Sequence, residues 1–183
     1  EGRYGGSFEN RTRFLRETIA RVQQAVPGVF LTTRLSAYDA IPYPYGWGVK
    51  QDEPTLPDLA EPRALVQRLT ALGVPVLNVS IGNPYYNPHY GRPFDFPIAG
   101  MEPPDEHPLA AVARFVHITR EIQEAAGAVP VVGSGYGWLR WHLPAVAAAL
   151  VRRGWAKLVG QGRGSFAYPD AVRDLLATGR MDP

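Results

Sequence analysis

Arg34, two glycine-bearing turns and one aromatic loop are the residues in this chain whose types and spacing could do chemistry. Arg34 ends the run Val29-Phe30-Leu31-Thr32-Thr33-Arg34, so a strand there would deliver a permanent cation to its carboxyl end. The competing use of that guanidinium is a structural salt bridge to Glu9 or Asp39. Gly133-Ser134-Gly135 and Gly160-Gln161-Gly162-Arg163 each follow a short apolar run. Glycines there let backbone N–H groups approach an anion, and Arg163 would add a charge-assisted contact, although either turn alone could serve only to reverse the chain. Tyr85, Tyr86 and His89 bring phenol and imidazole into one loop, where they could bind a carbonyl, supply a proton or simply pack.

Other chemistries find no support. The chain has no cysteine, which excludes disulfides, thiolate zinc sites and cysteine nucleophiles from these 183 residues. His107, His117 and His142 lack ligand spacing, and no Gly-x-Ser-x-Gly elbow or Walker A lysine motif occurs. Only Lys50 and Lys157 could serve a Schiff-base aldolase, and Lys157 begins its strand, on the wrong side. Tyr43, Tyr45 and Trp47 could cap a flat ligand or anchor their own loop, and Glu102, Asp105 and Glu106 read as a solvated acidic patch. Nineteen Lys and Arg against 17 Asp and Glu are scattered rather than striped, so no nucleic-acid partner is expected. The longest apolar stretch, Ala145–Val151, is far short of the roughly 20 residues that cross a bilayer. Neither a membrane nor a secretory signal is expected, and a reducing cytoplasm suits the cysteine-free composition.

The elements that must hold these residues alternate. Phe8, Leu15, Ile19, Val22 and Val26 line one helical face, with Ser7 as N-cap and Pro27-Gly28 as stop. The spacing predicts further helices from about Pro62 to Gly73, Pro108 to Gly127, Pro144 to Gly154 and Pro169 to Gly179. Apolar runs at 29–34, 76–80, 130–133 and 157–159 read as strands between them. Four buried strands separated by helices predict a parallel sheet, with long strand-to-helix loops at the functional edge. An α/β barrel and an open doubly wound sheet both satisfy this order, and four strands close no barrel. Residues 1–183 are expected to form a single partial domain. The Gly-rich start and the end at Met181-Asp182-Pro183 suggest a piece of a longer protein.

The block Tyr4-Gly5-Gly6-Ser7-Phe8-Glu9-Asn10-Arg11-Thr12-Arg13-Phe14-Leu15 resembles the old yellow enzyme family of NADH:flavin oxidoreductases. The resemblance continues through Thr33-Arg34-Leu35-Ser36, Gly133-Ser134-Gly135, Gly162-Arg163 and Tyr168-Pro169-Asp170. Ile81-Gly82-Asn83-Pro84-Tyr85-Tyr86-Asn87-Pro88-His89 is similar to the loop of the 2,4-dienoyl-CoA reductase-like branch. The resemblance implies the carboxyl-terminal half of a (β/α)₈ TIM barrel that binds FMN, takes hydride from NAD(P)H and passes it to an enone or enoyl-thioester substrate. It implies that Arg34 meets the N1/O2 side of the flavin, and that Ser80 and Gly82 flank the cofactor. Gly133, Ser134, Gly135, Gly162 and Arg163 would hold its phosphate. Tyr85, Tyr86 or His89 would approach the substrate. The family's substrate-anchoring histidine pair would lie before residue 1, and a cysteine cluster for a 4Fe–4S centre would follow Gly179-Arg180-Met181-Asp182-Pro183. The alternative is a non-catalytic half barrel that binds phosphate-bearing ligands or pairs with a second chain, its open edges favouring a homodimer.

Overall fold

A computed structural model describes residues 2–96, 99–100 and 105–181. Four parallel strands, β1 (Thr33–Tyr38), β2 (Leu77–Ile81), β3 (Val131–Gly133) and β4 (Leu158–Val159), lie side by side in chain order. Around them run α1 (Phe8–Arg11), α2 (Arg13–Ala25), α3 (Ala60–Ala71), α4 (Pro88–Gly91), α5 (Pro108–Ala126), α6 (Leu143–Arg152), α7 (Gly164–Ala167) and α8 (Ala171–Thr178). A 3₁₀ segment, Gly137–His142, precedes α6.

Strand order decides between the two architectures left open by the sequence. Right-handed crossovers that always step to the next strand in one direction place every connecting helix on the same face of the sheet. A doubly wound sheet reverses direction and covers both faces; this one does not reverse. The chain therefore has the architecture of half a (β/α)₈ barrel, four βα units long.

Side-chain alternation follows from that geometry. Leu35, Ala37, Leu77, Val79, Ile81 and Val131 are buried against Leu65, Val66, Leu69, Phe115, Ile118 and Ile122 in the core. Arg34, Ser36, Asn78, Ser80 and Val132 occupy the alternate positions and are at most half-buried. A closed barrel would turn that second face inward.

Three expectations are corrected. The first strand begins at Thr33 and not at Val29: Val29 and Phe30 remain exposed, while Ala37 and Tyr38 are fully buried. Pairing decides this, because Thr33, Arg34, Leu35 and Ser36 stand in register with Leu77, Asn78, Val79 and Ser80. Arg34 is thus the second residue of its strand rather than the last. The first helix breaks at Thr12, whose hydroxyl donates to the Phe8 carbonyl at 2.8 Å. Ser7 caps α1 as expected, its Oγ accepting from Asn10 N. Finally, α4, α7 and the 3₁₀ segment interrupt what read as plain loops.

The Gly-Gly-Ser-Phe-Glu-Asn-Arg block works as a latch between α2 and α3. Arg11 Nε donates to the Gly6 carbonyl at 2.9 Å while its guanidinium pairs with Glu61 and lies over the Trp47 ring. Glu9 bridges Arg16 and Arg68. Trp47 anchors its own loop on the core, whereas Tyr43 and Tyr45 are exposed.

Gln123 organises the approach to β3. Its Nε2 donates to the carbonyls of Gly127 and Val129, both at 3.1 Å, and its Oε1 accepts from Val131 N at 2.9 Å. Buried backbone groups without partners cost free energy. Gln123→Ala should therefore lose about 2–4 kcal/mol in urea unfolding; a loss within about 0.5 kcal/mol, the usual range of neutral surface changes, would contradict this role.

Tyr38 and Tyr136 are buried phenols. The Tyr38 hydroxyl lies 3.0 and 2.8 Å from the carbonyls of Pro54 and Thr55, pinning the 39–59 loop, and Tyr136 Oη lies 3.1 Å from Thr119 Oγ1. Burial raises both phenols above their ordinary range. The folded state thus holds these protons more tightly than the unfolded state. Their contribution is intact below the unfolded phenol pKa of about 10 and is lost as pH rises above it. Urea midpoints should fall above about pH 10, more shallowly in Tyr136→Phe than in wild type. An unchanged alkaline slope in that variant would refute the assignment.

Candidate functional site

A cavity of about 630 Å³ opens where the uncovered sheet face meets the loops after β2, β3 and β4. That size suits a cofactor or small molecule. Arg34, Ser80, Ser134, Gly135, Gly162 and Arg163, all singled out from the sequence, line it together. Other grooves run between helices, lined by Leu109, Val116, Leu139 and Trp155 in one case and by Arg63, Gln67, His117 and Glu121 in another. Neither touches the strand ends.

Arg34 makes neither of the bridges that would have given it a structural use. Glu9 is committed to Arg16 and Arg68, and the Asp39 carboxylate accepts from Ile41 N and Trp47 N. Among the described residues Arg34 has no carboxylate partner. The same holds for Arg163 and for Arg92, which lines the same cavity. Among the described residues the one acid in the lining, Asp95, is spoken for: it accepts from Trp138 Nε1 and from Arg140, each at 2.7 Å. This tether joins the loop after β2 to the loop after β3 and holds Arg140 at a φ of 51°.

The serines are tied into the sheet. Ser134 Oγ donates to the Val79 carbonyl at 3.0 Å, and Ser80 Oγ to the Leu35 carbonyl at 3.4 Å. Each keeps an acceptor oxygen, and the first of these bonds positions the turn that carries Gly135.

The remaining expected residues lie elsewhere. Gly133 faces the helix layer, where a Cβ would stand 2.5 Å from Tyr136 Oη, so its close packing belongs to the core and not to the cavity. Gly82 has a φ of +77°, and a Cβ there would come within 2.4 Å of Gly91 N; its contact is with the end of α4. Tyr85 is 98% exposed and Tyr86 is exposed on the surface turn built on Asn83. His89 is buried, edge-on to Phe94 at 5.7 Å. None of these five lines the cavity. Glu106 is paired with Arg114 rather than solvated, and Glu102, like Asp182 and Pro183, is outside the described residues.

Sequence reasoning missed Arg92, Phe94, Asp95, Trp138 and Gln161 in the lining. Gly91-Arg92-Pro93-Phe94-Asp95 carries a usable signal, a cation, an aromatic ring and an acid within four residues, but only the Gly82–Gly91 approach brings it to the strand ends. Among the described residues no His, Asp and Glu cluster could hold a metal ion, and no helix is long and apolar enough to cross a membrane.

The two turn glycines at the cavity differ physically. A Cβ on Gly135, at φ +89°, would strike the Phe115 ring at 2.4 Å, whereas one on Gly162 would meet open space. Gly135→Ala should cost about 1–3 kcal/mol in urea unfolding, and Gly162→Ala no more than about 0.5 kcal/mol. Equal losses would show that both glycines serve packing.

Comparison with known proteins agrees with the half-barrel fold. A bilirubin reductase from Mediterraneibacter gnavus is 28% identical over 175 residues, covering 95% of this chain and 23% of that protein. Histamine dehydrogenase from Rhizobium sp. 4-9 superposes with a TM-score of 0.66 at 26% identity, over 97% of this chain and 21% of its own. A 6-hydroxypseudooxynicotine amine oxidase from Pseudomonas geniculata N1 gives a TM-score of 0.66 at 24% identity, over 96% and 22%. The chain thus spans between a fifth and a quarter of the length of these relatives. The sequence profile of the NADH:flavin oxidoreductase / NADH oxidase family matches residues 2–44, the stretch holding the latch and Arg34. In residues 2–44 and in its half-barrel fold, the chain is similar to the NADH:flavin oxidoreductase / NADH oxidase family.

Proposed function

We propose that this chain supplies the carboxyl-terminal half of the flavin site of an FMN-dependent oxidoreductase that takes hydride from NAD(P)H and delivers it to an activated alkene, an enone or enoyl thioester. The observation that carries the reading is the convergence of Arg34, Gly135, Gly162 and Arg163 on one cavity, with both cations free of carboxylates among the described residues. A flavin mononucleotide has a phosphomonoester at one end and an electron-accepting ring at the other, and this donor set fits both. Bound there, the flavin would supply two-electron hydride chemistry.

Arg163, with the backbone at Gly135 and Gly162, would hold the phosphate, as loops after the last strands of such barrels often do. Arg34 would sit against the N1/O2 edge of the ring, where a fixed cation favours negative charge and costs no reorganisation. The acceptor oxygens of Ser80 and Ser134 border the space between the two ends, and the Ser134–Val79 bond keeps that wall rigid. Tyr85, Tyr86 and His89 lie outside the lining, so the proposal gives them no contact with the ring. A 4Fe–4S centre in a longer parent and a cytoplasmic location remain part of the proposal only.

A second reading rests on the open sheet edges. Among the described residues β1 and β4 each pair on one side only, which suits a second chain or a second copy completing the sheet. Sedimentation at twice the monomer mass, with no flavin response, would favour it.

Titration of the chain with FMN, followed by the visible absorbance of the flavin, tests the first reading. Binding should be weakened about tenfold or more in Arg163→Ala, where a charged hydrogen bond is lost. In Arg34→Ala the bound flavin should become harder to reduce, because the stabilising cation is gone. Wild-type affinity in Arg163→Ala together with an unshifted potential in Arg34→Ala would refute the assignment.

A further inference from the structure

Among the described residues of the lining, Arg92 is the one cation that the flavin reading leaves without a task. It follows α4, where Gly82 and Gly91 approach closely enough to swing the next residues over the mouth. Its guanidinium lies over the Phe94 ring, 4.3 Å from the centroid, so its direction is set before any ligand arrives. Across the cavity stands Arg163. Partial desolvation, and behind it the field of Arg163, draws the Arg92 guanidinium below its ordinary range.

Two neighbouring cations without a counter-charge repel each other, and the structure offers them none among the described residues. Asp95 is already shared between Trp138 and Arg140. Arg11 is matched by Glu61, Arg63 by Glu121 and Arg114 by Glu106, whereas Arg34, Arg152, Arg153 and Arg180, like Arg92 and Arg163, have no carboxylate partner among the described residues. A dianion placed between Arg92 and Arg163 would relieve that repulsion. A monoanionic carboxylate would do so only in part.

We infer that Arg92 and Arg163 form a two-guanidinium clamp on a phosphate dianion, Arg92 entering from the loop after β2 and Arg163 from the loop after β4. The inference rests on the nucleotide reading of the cavity and adds to it a residue that no strand-end motif supplies. It also ties the phosphate to α4 and the Asp95 tether.

The test compares FMN, riboflavin and inorganic phosphate as titrants of the full chain in wild type, Arg92→Gln, Arg92→Lys and Arg163→Gln, with circular dichroism confirming the fold of each. Riboflavin has the same ring without the phosphate. The clamp predicts that Arg92→Gln raises the Kd for FMN about tenfold or more and leaves riboflavin affinity unchanged, with Arg92→Lys in between. It is overturned if Arg92→Gln shifts FMN and riboflavin equally, or shifts neither while Arg163→Gln weakens FMN alone; in the latter case the flavin reading survives and Arg92 is no part of it. If wild type binds no flavin, the flavin reading fails and inorganic phosphate decides the clamp. Phosphate binding lost in Arg92→Gln upholds it, and no phosphate binding overturns it.

Discussion

Side chains along a strand point to opposite faces in turn, and in this chain that alternation separates structure from chemistry. Leu35 and Ala37 go to the helices; Arg34 and Ser36 go to the face the helices leave bare. A shift of one residue in the pairing of β1 with β2 would bury the guanidinium in the core and expose Leu35. The register Arg34 to Asn78 is therefore the constraint on which the cavity depends. The latch of Arg11, Glu9 and Glu61 guards it indirectly by fixing α2 against α3, the layer on which β1 and β2 rest.

The second dependence is the one-directional strand order. With the strands in chain order and right-handed crossovers, the loops after β2, β3 and β4 gather at one rim and line the cavity together. Loops with no contact in the chain sequence then meet. Asp95 reaches Trp138 and Arg140, and Arg92 stands near Arg163. The tether and the cation pair are products of topology rather than of any local motif.

The sequence made legible what local pattern controls. Helix starts at Pro62, Pro108 and Pro144, and stops at Gly73, Gly127, Gly154 and Gly179, fall within a residue or two of the observed ends because caps and propensities are local. Arg34, Ser80, Ser134, Gly135, Gly162 and Arg163 stand out by residue type and share one cavity, Arg34 from the bare face of β1 and the others from near or just after the ends of β2, β3 and β4. The start of β1 was misread because Val29-Phe30-Leu31 is apolar yet unpaired, and only the parallel partner reveals it. Gly133 and Gly82 show the same limit: each looks like a ligand-facing glycine in sequence and is one that packs against Tyr136 or Gly91 in space.

The most direct measurement is a crystal structure of the chain grown with FMN. The account expects electron density for the phosphate between Arg163 and the backbone at Gly162, with the pyrimidine edge of the ring against Arg34. A nucleotide seated on the helical side of the sheet, or reversed so that its phosphate meets Arg34, would contradict it.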